Sequence, residues 1–502
     1  MRSLLPAIFS LCFIAAQAQN TLLESTFWQK MPDVSAVKAE VEKGNNPAEF
    51  NRSSFDPVVL AINAGAPLAT IQYLIGQPGN SVAKVTHDGR NYIHWAASRG
   101  NVELMEYLVS KGSKANVEDS HGYTPLNFAA NGGQQNTKVY DICIAAGADL
   151  KKDLSPDGAN ALLLAVANDK DFKLTNYFVS KGLDIKSQDA AGNNAFGYAA
   201  RTGNLDLLKA LMEKGVPVSD NAMLMAAQGS RRGANPLPIY QYLETLKVKP
   251  ITVAKNGENA LHIIVRRPGQ LDIIQYFLSK GVDVNQQDAE GNTVFMNAAS
   301  GNRDTTVMAA LIPHVKDINT ANAKGVTALA MAVRGNSPEM VRYLLNKGAS
   351  VMMSDINGDN LGYYLVQSYV DGSSRPGPNG FANGSQSGDF DVKLKLIQAK
   401  GFQPASPQKN GSTLYHLAVA KNNLALLKHL EPLKIDVNAK NKEGYTALHK
   451  AAMISKDDVM MKYLLSIGAS KDIVTSFDES AFSLASENEA LAKNNVSIQF
   501  LK

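Results

Sequence analysis

Eight histidines, two cysteines and 46 acidic residues are what this chain offers for chemistry. A metal centre needs three or four such groups at ligand spacing, and a hydrolase needs a nucleophile beside a base. His94, His262, His416 and His449 recur at one position, the start of a short apolar helix, a repeat or more apart. His87 and His94 lie within one repeat, but no Glu-x-x-His or Cys/His ligand set accompanies them. There is no Gly-x-Ser-x-Gly elbow and no glycine-rich phosphate loop followed by Lys-Ser/Thr. Asp119, Asp189, Asp288 and Asp355 fall where a turn needs a side chain that bonds the backbone. Cys143 sits in the apolar run 142–146, the setting of a buried small hydrophobe and not of a nucleophile. The expectation is a chain with no catalytic residue, no metal and no cofactor.

What recurs instead is architecture. Glycines 89, 122, 158, 192, 257, 291, 325, 358, 411 and 444 head similar stretches, and most neighbours stand 33 to 36 residues apart. Each glycine supplies the positive φ of a tight turn. A Thr or Asn follows as a helix cap, as at Thr124, Thr327 and Thr446, and Pro125 sits where a missing N–H costs nothing. A short Ala-rich helix comes next, then a break, then an amphipathic helix with apolar residues at i, i+3, i+4 and i+7. That second helix stops at a glycine, among them Gly112, Gly182, Gly281, Gly348 and Gly468.

The stretches 119–130, 255–265, 322–333 and 441–452 carry the closest likeness, and their pattern resembles the ankyrin-repeat family over nearly the whole chain. The resemblance implies an all-α solenoid of about 13 helix–turn–helix units, capped at both ends, with hairpin-like loops projecting to one side of an open superhelix. In that family the recurring imidazole bonds neighbouring turns. The full Thr-Pro-Leu-His string is never intact here: Pro survives only at Pro125.

The bulk numbers agree with a packed solenoid. The chain is 45% hydrophobic and 19% charged, with a net charge of +4 over 502 residues, too weak to call for nucleic acid. Arg2, the apolar stretch 4–16 and the small-x-small Ala16-Gln17-Ala18 read as a signal peptide over 1–18, and Cys12 lacks the small neighbour of a lipidation site. The expected chain is therefore exported, periplasmic or secreted, with no membrane span. With Cys143 then the only cysteine, packing must supply the stability. Four Asn-x-Ser matches, at Asn51, Asn383, Asn410 and Asn495, read as chance in a bacterial-type exported chain. The expected order is a half-repeat cap over 19–50 with its helix at 34–43, repeats over 51–217, a degenerate repeat with a loop insertion over 218–250, repeats over 251–470 and a capping repeat over 471–502. The Gly-, Ser- and Pro-rich stretch 368–390 is expected to be a mobile insertion.

Such an array works by binding. The residues after the Ala-Ala pair of the first helix face the groove in ankyrin-like units. Here these positions or their near neighbours give a basic ladder: Arg99, Arg201, Arg231, Arg232, Arg266, Arg267, Arg334 and Lys421. The hairpin tips add Asp88, Arg90, His121, Tyr123, Asn193, Glu258, Glu290, Asn292, Lys324 and Tyr445, of which the tyrosines are the better anchors. The expected function is a non-catalytic scaffold, acting as a monomeric array, that holds another protein. A secreted effector, or a binder of an anionic glycan or cell-wall polymer through the basic ladder, are the alternatives.

Overall fold

A computed structural model describes residues 20–230, 233–370 and 387–502. The expected signal peptide, Arg231, Arg232 and most of the 368–390 insertion lie outside these residues. The chain divides into two compact units, Met1–Ala222 and Met223–Lys502. Among the described residues both are helical, with only isolated β-bridges at hairpin tips such as Gln287 to Thr293.

Among the described residues the first unit holds six helix pairs, beginning with the one-turn helix Ser25–Trp28 and its partner Val34–Glu42. The sequence reading gave this end a single helix; Trp28 supplies the other, because its buried ring is tied by Nε1 to the Leu22 carbonyl at 2.9 Å. Among the described residues the second unit holds eight pairs, beginning with Ala222–Gln228, whose first residue closes the first unit, and Leu237–Thr245. The described residues at the two ends of the stretch 368–390 belong to helices or follow one directly. Ser368 closes the helix Leu361–Ser368, and the helix Ser387–Gln398 buries Phe390 completely.

Pro338–Asn346 shows how one element arises. Ser337 caps it by accepting from the Met340 N–H at 3.3 Å, Pro338 enters where no donor is needed, and Glu339 lies at the positive end of the helix dipole. Met340, Val341, Leu344 and Leu345 form the buried stripe. Each such side chain contributes about 1.5–3 kcal/mol by leaving water, but only against another helix. Within each unit, first helices stack on first helices, as Val294–Gly301 does on Ala328–Gly335. Second helices likewise stack on second helices, as Pro338–Asn346 does on Ser387–Gln398.

Three sets of hydrogen bonds tie one repeat to the next. The backbone links the tips: Ala323 N–H donates to the Glu290 carbonyl at 3.0 Å, Ile356 to Lys324 at 3.0 Å and Lys409 to Gly358 at 2.9 Å. The recurring histidines reach across, His94 to the Tyr123 carbonyl at 3.1 Å, His416 to Tyr445 and His449 to Ile473 at 2.9 Å. Buried asparagines between the helices do the same. Asn302 Nδ2 donates to the Val265 carbonyl at 2.8 Å, and Asn336 Nδ2 to those of Ala299 and Asn302 at 2.8 and 2.7 Å. Gly291 shows why the anchor is glycine: its φ is +77°, and an added Cβ would lie 2.6 Å from the Ala323 nitrogen of the next tip.

Two outcomes follow. Asn336→Ala strands two buried carbonyls and should lower the unfolding free energy by about 2 kcal/mol, read from the urea midpoint. A change within error would show that water replaces the amide. Burial pushes His94 down to about 4, against the pull of its bond to Tyr123, and lowers His262, His416 and His449 too. The unfolded imidazoles, titrating at their ordinary value near 6.5, take up protons that the folded ones refuse. Stability is therefore full above that value and falls as the pH drops from there towards 4. The melting temperature should decline over this window, and His94→Gln should make the decline shallower.

Candidate functional site

The turn acids are fully occupied. Asp288 Oδ1 accepts from the Glu290 and Asn292 N–H groups at 2.9 and 2.8 Å, and Asp355 Oδ1 from those of Asn357 and Asp359 at 2.9 Å. Tyr364 OH adds a bond to Asp355 Oδ2 at 2.7 Å. Cys143 is buried, and that burial pushes its thiol up to about 12. Among the described residues no group of histidine, cysteine and acidic side chains could hold a metal ion.

An open groove of about 1020 Å³ lies in the second unit, built by repeats between Arg266 and Gln367. One wall is made where the first helices end, with Arg266, Arg303 and Arg334. The other is made by the tips, with Glu290, Lys324 and Ile356. Buried Asn297 and Asn336, half-buried Met331 and Tyr363, Tyr364 and Asp355 also line it. The three arginines are exposed and, among the described residues, none makes a salt bridge or a side-chain hydrogen bond. Ile356 leaves 68% of its surface open.

The groove thus gathers five of the residues expected from sequence, Arg266, Arg334, Glu290, Asn292 and Lys324. It adds Arg303, Ile356, Met331 and Tyr363. Arg303 escaped the sequence reading because Ser300 holds the position that carries Arg334 in the next repeat, and the charge falls three residues later, in the loop after Gly301. The Asn302-Arg303 step after a helix-ending Gly301 was the available signal.

The other basic positions are engaged elsewhere. Lys421 places its ammonium on the carbonyls of Val366, Gln367 and Tyr369 at 3.0, 3.0 and 2.7 Å, capping the helix Leu361–Ser368. Lys393, wholly buried and pushed down to about 8 by that burial, donates to the Val333 carbonyl at 3.0 Å in the same manner. Arg267 donates through Nη2 to the Gln228 carbonyl. In the first unit Arg99 bonds Asn63 Oδ1 of the preceding repeat at 3.0 Å, and Arg201 is half-buried.

The tips divide in the same way. Arg90 is only 8% exposed. Its guanidinium bonds Asp119 at 2.8 Å and Asp88 at 3.1 Å and lies 4.2 Å from the Phe128 ring centroid, so it joins two repeats instead of facing solvent. Asp88 also receives His121, at 3.3 Å. Asn193 and Asn292 are buried against Asp189 and Asp288, and Glu258 accepts from Asn256 at 3.0 Å. Tyr123 and Tyr445 give their carbonyls to His94 and His416 and keep half-exposed rings. No helix among the described residues is long and apolar enough to cross a membrane.

Comparison with known proteins agrees with this geometry. A family profile described as ankyrin repeats in three copies matches residues 58–152, 162–288, 261–355 and 385–496. The human transient receptor potential cation channel subfamily A member 1 is 24% identical over 430 residues, 75% of this chain and 36% of that protein. The Caenorhabditis elegans ankyrin repeat and KH domain-containing protein mask-1 is 24% identical over 271 residues, 53% of this chain and 10% of that protein. The Legionella pneumophila phosphocholine transferase AnkX is 24% identical over 217 residues, 43% of this chain and 21% of that protein. The chain thus spans between a tenth and about a third of these relatives.

The contrast between capping and groove-lining cations is measurable. Lys421→Met removes three bonds from helix-ending carbonyls and should cost about 2–3 kcal/mol of stability. Arg334→Met, at an exposed position, should change it by no more than about 0.5 kcal/mol. Equal losses in thermal unfolding would overturn the distinction.

Proposed function

The chain belongs to the ankyrin-repeat family, and on that premise we propose that it is a non-catalytic scaffold that grips another protein in the groove between Arg266 and Gln367. The observation that carries this reading is a division of labour among side chains. Residues that join the repeats are buried and bonded, whereas Arg266, Arg303, Arg334 and Ile356 face the groove with their binding capacity unspent. Exposed guanidinium groups beside an open aliphatic side chain and a tyrosine are the mixture that interface centres use. Tip-to-tip backbone bonds hold the wall in place before a partner arrives, so little ordering entropy is spent on binding.

In this reading the chain acts outside the cytoplasm as a monomer, delivered by the Arg2 to Ala18 export pattern. Delivery as a secreted effector draws on the same N-terminal pattern; fractionation separates the two, since a resident scaffold stays in the periplasm. An anionic glycan would use the arginines but leave Ile356 uncovered, and is the weaker fit.

A photo-crosslinking residue tests the groove directly. Placed at Ile356 in the full chain, it should yield a discrete protein adduct in cells. Placed at Val392, also exposed but on a second helix, it should yield none. Adducts from position 392 alone, or from neither, would remove the groove from the function.

A further inference from the structure

We infer that the groove is built for an acidic segment of the partner in the polyproline II conformation, whose three-residue turn puts a carboxylate at every third residue along one edge and apolar side chains along the other; this rests on the scaffold reading above. The spacing comes from the stacking of the repeats. Arg266 follows the helix Ala260–Ile264, Arg303 follows Val294–Gly301, and Arg334 belongs to Ala328–Gly335. These three first helices pack against one another in succession. Packed helices stand about 8–10 Å apart, and a polyproline II chain advances about 3.1 Å per residue with three residues per turn. One repeat therefore matches about three residues: Arg266 and Arg334, at the same place two repeats apart after the caps Asn259 and Thr327, match carboxylates at i and i+6, and Arg303, set further from its cap Thr293 in the repeat between, matches i+3.

Charge sets the orientation. The arginine wall has no carboxylate paired to it among the described residues, so it favours anions bound bidentately. The tip wall is different: Glu290 and Asp355 there outnumber the single cation Lys324 and oppose a second row of acids, and Ile356, with Met331 and Tyr363 in the lining, offers an apolar surface. A segment acidic on both edges would meet Glu290, and a wholly apolar one would leave three arginines desolvated without partners. A uniform polyanion has nothing to place on Ile356. A protein segment with one acidic and one apolar edge satisfies both walls.

The test uses the full chain and a short fluorescein-labelled peptide, with three Asp residues at every third position and Leu between them. Its control is an isomer of the same composition with the three Asp residues adjacent. Anisotropy should show the spaced peptide binding more tightly than the isomer. Arg303→Glu and Arg334→Glu should each raise its Kd at least ~10-fold, the scale of a lost charge pair at an interface. Ile356→Asp should weaken binding too, and the melting temperatures of all three exposed variants should stay at the parent value. Equal affinity for the isomer would overturn the spacing, and indifference to both arginine reversals would overturn the acidic edge. Inorganic polyphosphate that binds more tightly than the peptide, loses affinity with the reversals and ignores Ile356→Asp would put an anionic polymer in the groove instead. A protein adduct from position 356 that persists in the Arg303→Glu, Arg334→Glu double variant would overturn this inference while leaving the scaffold reading standing.

Discussion

A helix pair of this length has two apolar faces and a row of backbone carbonyls that it cannot satisfy alone, and everything else in the structure answers that constraint. The buried stripe Met340, Val341, Leu344 and Leu345 has value only because another helix lies beside it. The Glu290, Lys324 and Gly358 carbonyls have partners only because another tip follows. Stability is then close to a sum of interfaces between neighbours, with no centre.

The same constraint decides how polar residues are used. In a compact enzyme, a buried histidine beside a carbonyl, or a lysine pushed down to about 8, would invite a search for substrate. Here His94, His416 and His449 each bond a carbonyl of the following repeat, and Lys393 bonds one that ends a first helix. Their titration is perturbed because they are structural and buried. Perturbation by itself marks burial; a function needs an open site beside it, and the open site in the second unit is lined by exposed arginines instead.

Most of the fold was legible because each recurring residue answers a local requirement. The anchoring glycines show positive φ as expected, but Gly257 and Gly291 also leave room for the next tip, a contact between repeats that local turn rules do not contain. The site was half legible. Position within the repeat placed Arg266 and Arg334 on the groove, yet the same rule selected Lys421 and Arg267, whose ends are taken by carbonyls of neighbouring repeats. Arg90 was read as a tip residue, whereas Asp119 and the Phe128 face draw it inward. Whether a cation faces solvent or caps a neighbour is decided by contacts between repeats, and Arg303 was hidden because Ser300 holds the position that carries Arg334 in the next repeat.

Backbone-to-backbone and asparagine-to-backbone bonds join the repeats, and this has a consequence for how such a chain can change over generations. A carbonyl accepts from the next repeat whatever side chain its residue bears, so the joints place little demand on the identity of the groove residues. Glu290 and Lys324 show this: their main chains carry the tip ladder while their side chains remain exposed. Selection can therefore rewrite the groove one charge at a time without disturbing the joints, and two descendants of one ancestor could keep the same skeleton while recognising unrelated surfaces.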